Sequence, residues 1–155
     1  MKPIIAGNWK MNKTINEGLS FVNEVKNRIL DKNDAKVIFC PPFTSLFSIA
    51  RLLDNSTFCL GAQNVHSEIE GAYTGEISAS MVSEFGVSWV LVGHSERRNY
   101  QNETDALIRQ KVDYSIKAGM NVILCVGETM QERSSGLAQK VIANQLEIAL
   151  EKGLS

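Results

Sequence analysis

The sequence predicts an α/β protein with parallel strands, and three observations carry that expectation. Short apolar runs alternate five times with longer segments of helical period. Parallel neighbours need a crossover long enough to hold a helix, and the spacing supplies one. The runs are near-continuously apolar, as in a sheet covered on both faces, rather than alternating as in a half-exposed one.

Pro3–Ala6 reads as the first strand, and Thr14 with Glu17 forms a capping box before the stripe Ile15, Leu19, Val22, Val25, Ile29. Val37–Cys40 is the second strand, stopped by Pro41-Pro42, and Thr44 is placed to cap the helix of Leu46, Ile49, Leu52 and Leu53. Phe58–Leu60 is the third strand, followed by a long polar stretch from Gly61 to Glu76 and a short helix around Met81, Val82 and Phe85 closed by Gly86. Trp89–Val92 is the fourth strand, and its helix carries Leu107, Ile108, Val112 and Ile116 with Gly119 at its end. Val122–Val126 is the fifth, and Ala138, Val141, Ile142, Leu146, Ile148 and Ala149 make the last helix amphipathic. Gly153–Ser155 reads as the close of that helix and a possible cap of another.

An open doubly wound sheet and part of a (β/α)8 barrel both fit this order. The open nucleotide-binding version carries G-x-G-x-x-G after its first strand, whereas the turn Gly7–Asn12 has one glycine. The five units average about 31 residues, and eight such units come to roughly the 250 of a closed barrel. Residues 1–155 are therefore expected to form the N-terminal part of a single (β/α)8 domain, truncated after the fifth unit.

Composition sets the class. The net charge is −1, with 44% hydrophobic and 21% charged residues, so there is core enough for a globular fold and no basic footprint for nucleic acid. No apolar stretch reaches the ~18 residues of a membrane span, and the N-terminus enters a strand without a signal-peptide pattern. Cys40, Cys59 and Cys125 are odd in number and lack metal-ligand spacing, which argues for core thiols in a reducing compartment. The sequons at Asn12, Asn55 and Asn102 read as chance.

In parallel β/α folds functional groups gather where strands end. Asn8 and Lys10 follow the first strand, Gln63 and Asn64 the third, His94 and Glu96 the fourth, Cys125 and Glu128 the fifth. A helix starting at Ser95 would set His94 against polarised N–H groups, which suits a neutral hydrogen-bond donor. Such a donor beside the Lys10 cation suits stabilisation of oxygen charge during proton abstraction next to a carbonyl, with Asn8 to orient either group. Taken singly, His94 reads as a packed histidine, Lys10 as solvated, Glu96 as a surface ion pair with Arg97 or Arg98, and Cys125 as core. His66, in a polar loop with no evident partner, reads as surface.

The combination is more specific than its parts. Ala6–Asn12, Gly61–Val65, Gly71–Ser78, Val92–Arg98 and Cys125–Thr129 resemble, in order and spacing, the triosephosphate isomerase family, and the resemblance runs from Met1 to Ser155, about five of eight units of a TIM barrel. The resemblance implies a glycolytic and gluconeogenic, cytoplasmic isomerase of the intramolecular oxidoreductase type. It would interconvert dihydroxyacetone phosphate and glyceraldehyde 3-phosphate through an enediolate, without metal or cofactor. It implies that His94 is the electrophile, that Lys10 and Asn8 bind substrate as cation and orienting amide, and that Glu96 and Cys125 support them. The family is itself the familiar illustration of a histidine held neutral at a helix N-terminus. It also implies a homodimer in which the loop bearing Thr74 and Gly75 inserts beside the partner's site.

The resemblance also says what is not in these residues. The family's general base is a glutamate ending the sixth strand, and its phosphate-binding loops follow the sixth to eighth; Glu128 matches a different position. The 155-residue chain by itself is expected to be inert and, with unpaired edges at its first and fifth strands, prone to associate. Two readings follow: the N-terminal part of a true isomerase, or a natural half-barrel serving as a partner-binding or assembly module. Coding sequence continuing past Ser155 into a strand ending in glutamate favours the first, and a stop codon the second. Retention of Lys10, His94 and Thr74 together favours the first.

Overall fold

A computed structural model describes residues 2–29 and 34–150. The reading of Gly153–Ser155 lies outside the described residues. Five parallel strands, β1 (Ile4–Asn8), β2 (Lys36–Cys40), β3 (Cys59–Ala62), β4 (Trp89–Val92) and β5 (Asn121–Leu124), form one sheet in the order β1-β2-β3-β4-β5. The helices are α1 (Ile15–Arg28), α2 (Phe43–Leu53), α3 (Ala79–Ser83), α4 (Ser95–Tyr100), α5 (Asp105–Lys117), α6 (Met130–Ser134) and α7 (Ala138–Leu150). The result is a curled half-barrel with its helices outside.

Strand pleating divides the apolar residues into two clusters. Phe39, Leu60, Ala62, Val90 and Val92 point outward and pack with Val22, Leu46, Ile49, Ile108 and Val112 of the helices. Ile38, Cys40, Trp89 and Leu91 point inward, with Cys59, Ile123 and Cys125 against them. Gly61 sits among the inner set because a Cβ there would lie 2.7 Å from Cys40 Sγ and 3.2 Å from Ile38 Cγ2. The β1 edge is open on both faces: Ile4, on the inner side, is 50% exposed, and Ile5, in register with Val37 on the outer side, is 58% exposed.

The capping box of α1 forms as its residues dictate, with Thr14 N–H donating to Glu17 Oε2 at 2.7 Å and Glu17 N–H to Thr14 Oγ1 at 3.5 Å. Other expectations need correction. Thr44 does not cap α2, which begins two residues earlier than such a cap implies, at Phe43, with Pro42 in the cap position and no side-chain bond; the fixed φ of proline starts the turn instead. The first strand extends to Asn8, the third is shifted to Cys59–Ala62, and the fifth stops at Leu124, so Cys125 lies just beyond it. Helix α6 was not read from the sequence, although Thr129 and Glu132 form a second capping box. Asn55 and Asn102, two of the three sequon asparagines, hold left-handed turns at φ 61° and 54°, a conformation asparagine tolerates. None of the described helices is long and apolar enough to cross a membrane.

Candidate active site

Because all five strands point the same way, their C-terminal ends share one rim. A cleft of about 480 Å³ opens there, lined by Asn8, Lys10, Gln63, His94, Glu96 and Arg97 among others.

Lys10 occupies a strained position. Its φ is 55°, uncommon for a residue with a Cβ, and its backbone is held from both sides. Asn8 Oδ1 accepts from Lys10 N–H at 2.9 Å, while Gln63 Nε2 donates to Lys10 O at 3.0 Å and to Cys40 O at 2.8 Å. Asn8 thus shapes the turn, and Gln63, noted in the sequence only by position, ties β1, β2 and β3 together. Lys10 Nζ reaches across the rim to Glu96 Oε1 at 2.8 Å. That hydrogen bond holds the Glu96 carboxyl below its ordinary range. A surface pairing of Glu96 with Arg97 or Arg98 does not form: Arg97 turns to Glu103 and Arg98 to Asp105.

His94 is the N-cap of α4, and its side chain is 22% exposed. Its Nδ1 accepts from Glu96 N–H at 3.3 Å, so in the neutral ring the proton sits on Nε2. Glu96 Oε2 lies 3.6 Å from the same Nδ1, but that carboxylate is already committed to Lys10 at the shorter distance. The arrangement therefore lines one cleft with a ring donor and an ammonium, and Glu96 turns one oxygen toward each.

Cys125 is half-buried just past the C-terminal end of β5, where burial pushes its thiol up despite Arg98. Glu128 accepts from Arg133 Nε at 2.7 Å, a pairing that lowers its carboxyl. Thr74 and Gly75 are exposed at the tip of the loop after β3, Gly75 at φ 90°. The reading of His66 as a surface residue without a partner is corrected: its ring lies 4.3 Å from that of Tyr73, and its Nδ1 accepts from Glu68 N–H. The aromatic at Tyr73, seven residues on, was the signal for a loop that folds back on itself.

Sequence reasoning missed Glu103, Lys111 and Asn64 as a group. Lys111 Nζ donates to Glu103 Oε1 and to Asn64 Oδ1, and Arg97 Nε donates to the same Glu103 oxygen at 2.6 Å. The network ties α4, through Arg97, to α5, through Lys111, and to Asn64 in the loop after β3.

A half-barrel of β/α units with polar side chains converging on its strand ends belongs to the (β/α)8 class, whose sites lie on this rim. Residues 3–154 match the family model described as triosephosphate isomerase. The chain is 51% identical over 150 residues to the triosephosphate isomerase of Alkaliphilus metalliredigens, covering 97% of this chain and 60% of the relative. Against that of Herpetosiphon aurantiacus it is 49% identical over 154 residues, 99% of this chain and 61% of the relative. That of Aquifex aeolicus is 44% identical over 150 residues. The chain belongs to the triosephosphate isomerase family and spans about 60% of the length of these curated relatives.

Proposed function

We propose that this chain supplies the electrophilic half of a triose phosphate isomerase site. The observation that carries the reading is the shared cleft of Lys10 and His94, a cation and a ring N–H donor facing the same space. A substrate carbonyl seated between them would find its developing enediolate oxygen met by His94 Nε2–H and by the Lys10 charge. Asn8 and Gln63 fix the turn that presents Lys10, and Glu96 holds the ammonium in place.

The proton acceptor of the reaction lies outside these residues. Glu96, the carboxylate of the cleft, is bound to Lys10, and Glu128 to Arg133. The 155-residue segment assayed alone is inert, and the intact gene product, cytoplasmic and glycolytic, is active. The exposed loop tip at Thr74 and Gly75 serves homodimer contact.

The test is an isomerase assay on the intact product. His94→Gln lowers kcat about 100-fold or more with KM little changed. Wild-type turnover in that variant, or in the isolated segment, would overturn the reading.

A further inference from the structure

Arg98, the fourth residue of α4, joins three elements through one guanidinium. Nε donates to Gly93 O at 2.7 Å, Nη1 to Asp105 Oδ1 at 2.6 Å, and Nη2 to Cys125 O at 3.3 Å. Its backbone N–H donates to His94 O at 3.1 Å. The carbonyl before His94 and the carbonyl of His94 itself are therefore both held by Arg98. The side chain is 14% exposed and lies off the cleft, unlike that of Arg97, which lines it.

Gly93 explains why such a clamp is needed. It turns the chain out of β4 at φ 77°, and a Cβ there would lie 3.0 Å from Cys125 O and 3.1 Å from Arg98 Nη2. A left-handed turn pressed against the end of a neighbouring strand holds one geometry only if its surroundings over-determine it. Asp105, in the first turn of α5 behind the Thr104 cap, fixes the far side of the fork.

We propose that Arg98 is a positioning residue for His94, locking the Gly93 turn to the end of β5 and so setting where the imidazole stands in the cleft. The proposal rests on the isomerase reading above, in which His94 meets the substrate. Lysine would not replace it, because a single Nζ cannot serve three acceptors on three elements with fixed fork geometry. A merely structural link between α4 and α5 would affect stability without moving the ring.

The test compares Arg98→Met and Arg98→Lys in the intact gene product carrying 15N-labelled histidine, with His94→Gln assigning the ring signal. Both variants are expected to lose about 10- to 100-fold in kcat with KM within about twofold, the signature of a misplaced group. The His94 ring signals should shift while those of His66 stay. An unchanged His94 spectrum with wild-type kcat, or full recovery of kcat by lysine, overturns the proposal. If Arg98→Met yields no folded protein, Arg98→Lys decides by the same two readouts. If the wild type shows no isomerase activity, the functional reading fails, while the His94 spectrum still decides whether Arg98 positions the ring.

Discussion

Lys111 and Glu103 are joined in an ion pair whose two side chains are each only 3% exposed. Arg97 donates to the same Glu103 oxygen, and the other, Oε2, is buried without a partner among the described residues. Burial by itself raises the Glu103 carboxyl, but the hydrogen bonds from Lys111 and Arg97 outweigh it and hold it below the ordinary range. Burial also lowers the Lys111 ammonium, against the pull of Glu103.

Removing Lys111 leaves the buried Glu103 carboxylate with Arg97 as its remaining cation. Lys111→Met should therefore cost less than a pair broken outright, about 1.5–3 kcal/mol for the lost charged hydrogen bond. The pH dependence follows from the direction of each shift. A depressed carboxyl contributes stability above its unfolded value, near pH 4.5, and loses it as pH falls through its folded value. The lowered ammonium acts in the alkaline range, because its burial cost ends only when it deprotonates. The acid limb thus belongs to Glu103, and in Lys111→Met it should move to higher pH. Urea unfolding between about pH 3 and 8 measures both effects; an unmoved acid limb would show that Lys111 does not hold the carboxylate.

Glycine positions separate strain from space. Gly86 has φ 74°, and among the described residues no atom beyond its chain neighbours comes within 4 Å of where a Cβ would stand, so Gly86→Ala carries only the left-handed penalty, roughly 1 kcal/mol. Gly93 has a similar φ of 77° but is crowded by Cys125 O, Arg98 Nη2 and Ile108 Cδ1. Gly93→Ala should therefore cost at least about twice as much, since backbone carbonyls cannot step aside. Equal melting shifts for the two variants would mean that the β4–β5 junction gives way easily.

The contrast between legible and illegible features follows from the range of the interactions. The β/α alternation was readable because burial on both faces leaves continuous apolar runs, and the α1 cap because Thr14 and Glu17 are three residues apart. The rim position of Asn8, Lys10, His94 and Glu96 followed from parallel topology alone. Their partners did not. Lys10 meets Glu96 across 86 residues, and Lys111 meets Asn64 across 47, distances over which local pattern carries no signal. Glu103 lies eight residues before Lys111 and outside α5, so no helical spacing links them. The α6 cap, identical in form to that of α1, was present in the sequence and unread, as were the simpler caps of Ser78 on α3 and Thr104 on α5.

The three thiols should separate by accessibility. Burial, with Cys125 nearby, pushes the Cys40 thiol up to about 12, leaving on the order of one molecule in ten thousand as thiolate at pH 8. Cys59 is half-buried, and Cys125 is half-buried with a raised thiol. Alkylation of native protein should reach Cys59 first, Cys125 more slowly, and Cys40 only on unfolding, as peptide mass spectrometry would show. Early labelling of Cys40 would mean that the inner face of the half-barrel opens in solution.

Lys10 joins function to backbone strain, and two substitutions separate the contributions. Both Lys10→Gly and Lys10→Ala remove the ammonium from the cleft and should lower kcat of the intact product by about 100-fold or more. The lost ion pair with Glu96 is 51% and 44% exposed, so its removal costs little stability. What distinguishes the variants is φ 55°: alanine keeps the left-handed penalty and glycine relieves it. Glycine gives back part of that gain through the greater freedom of its unfolded chain. Lys10→Gly should still be more stable than Lys10→Ala by about 1 kcal/mol, at equal loss of activity. A ranking with alanine more stable would mean that the turn carries no strain, and that Asn8 and Gln63 merely decorate a conformation the chain adopts freely.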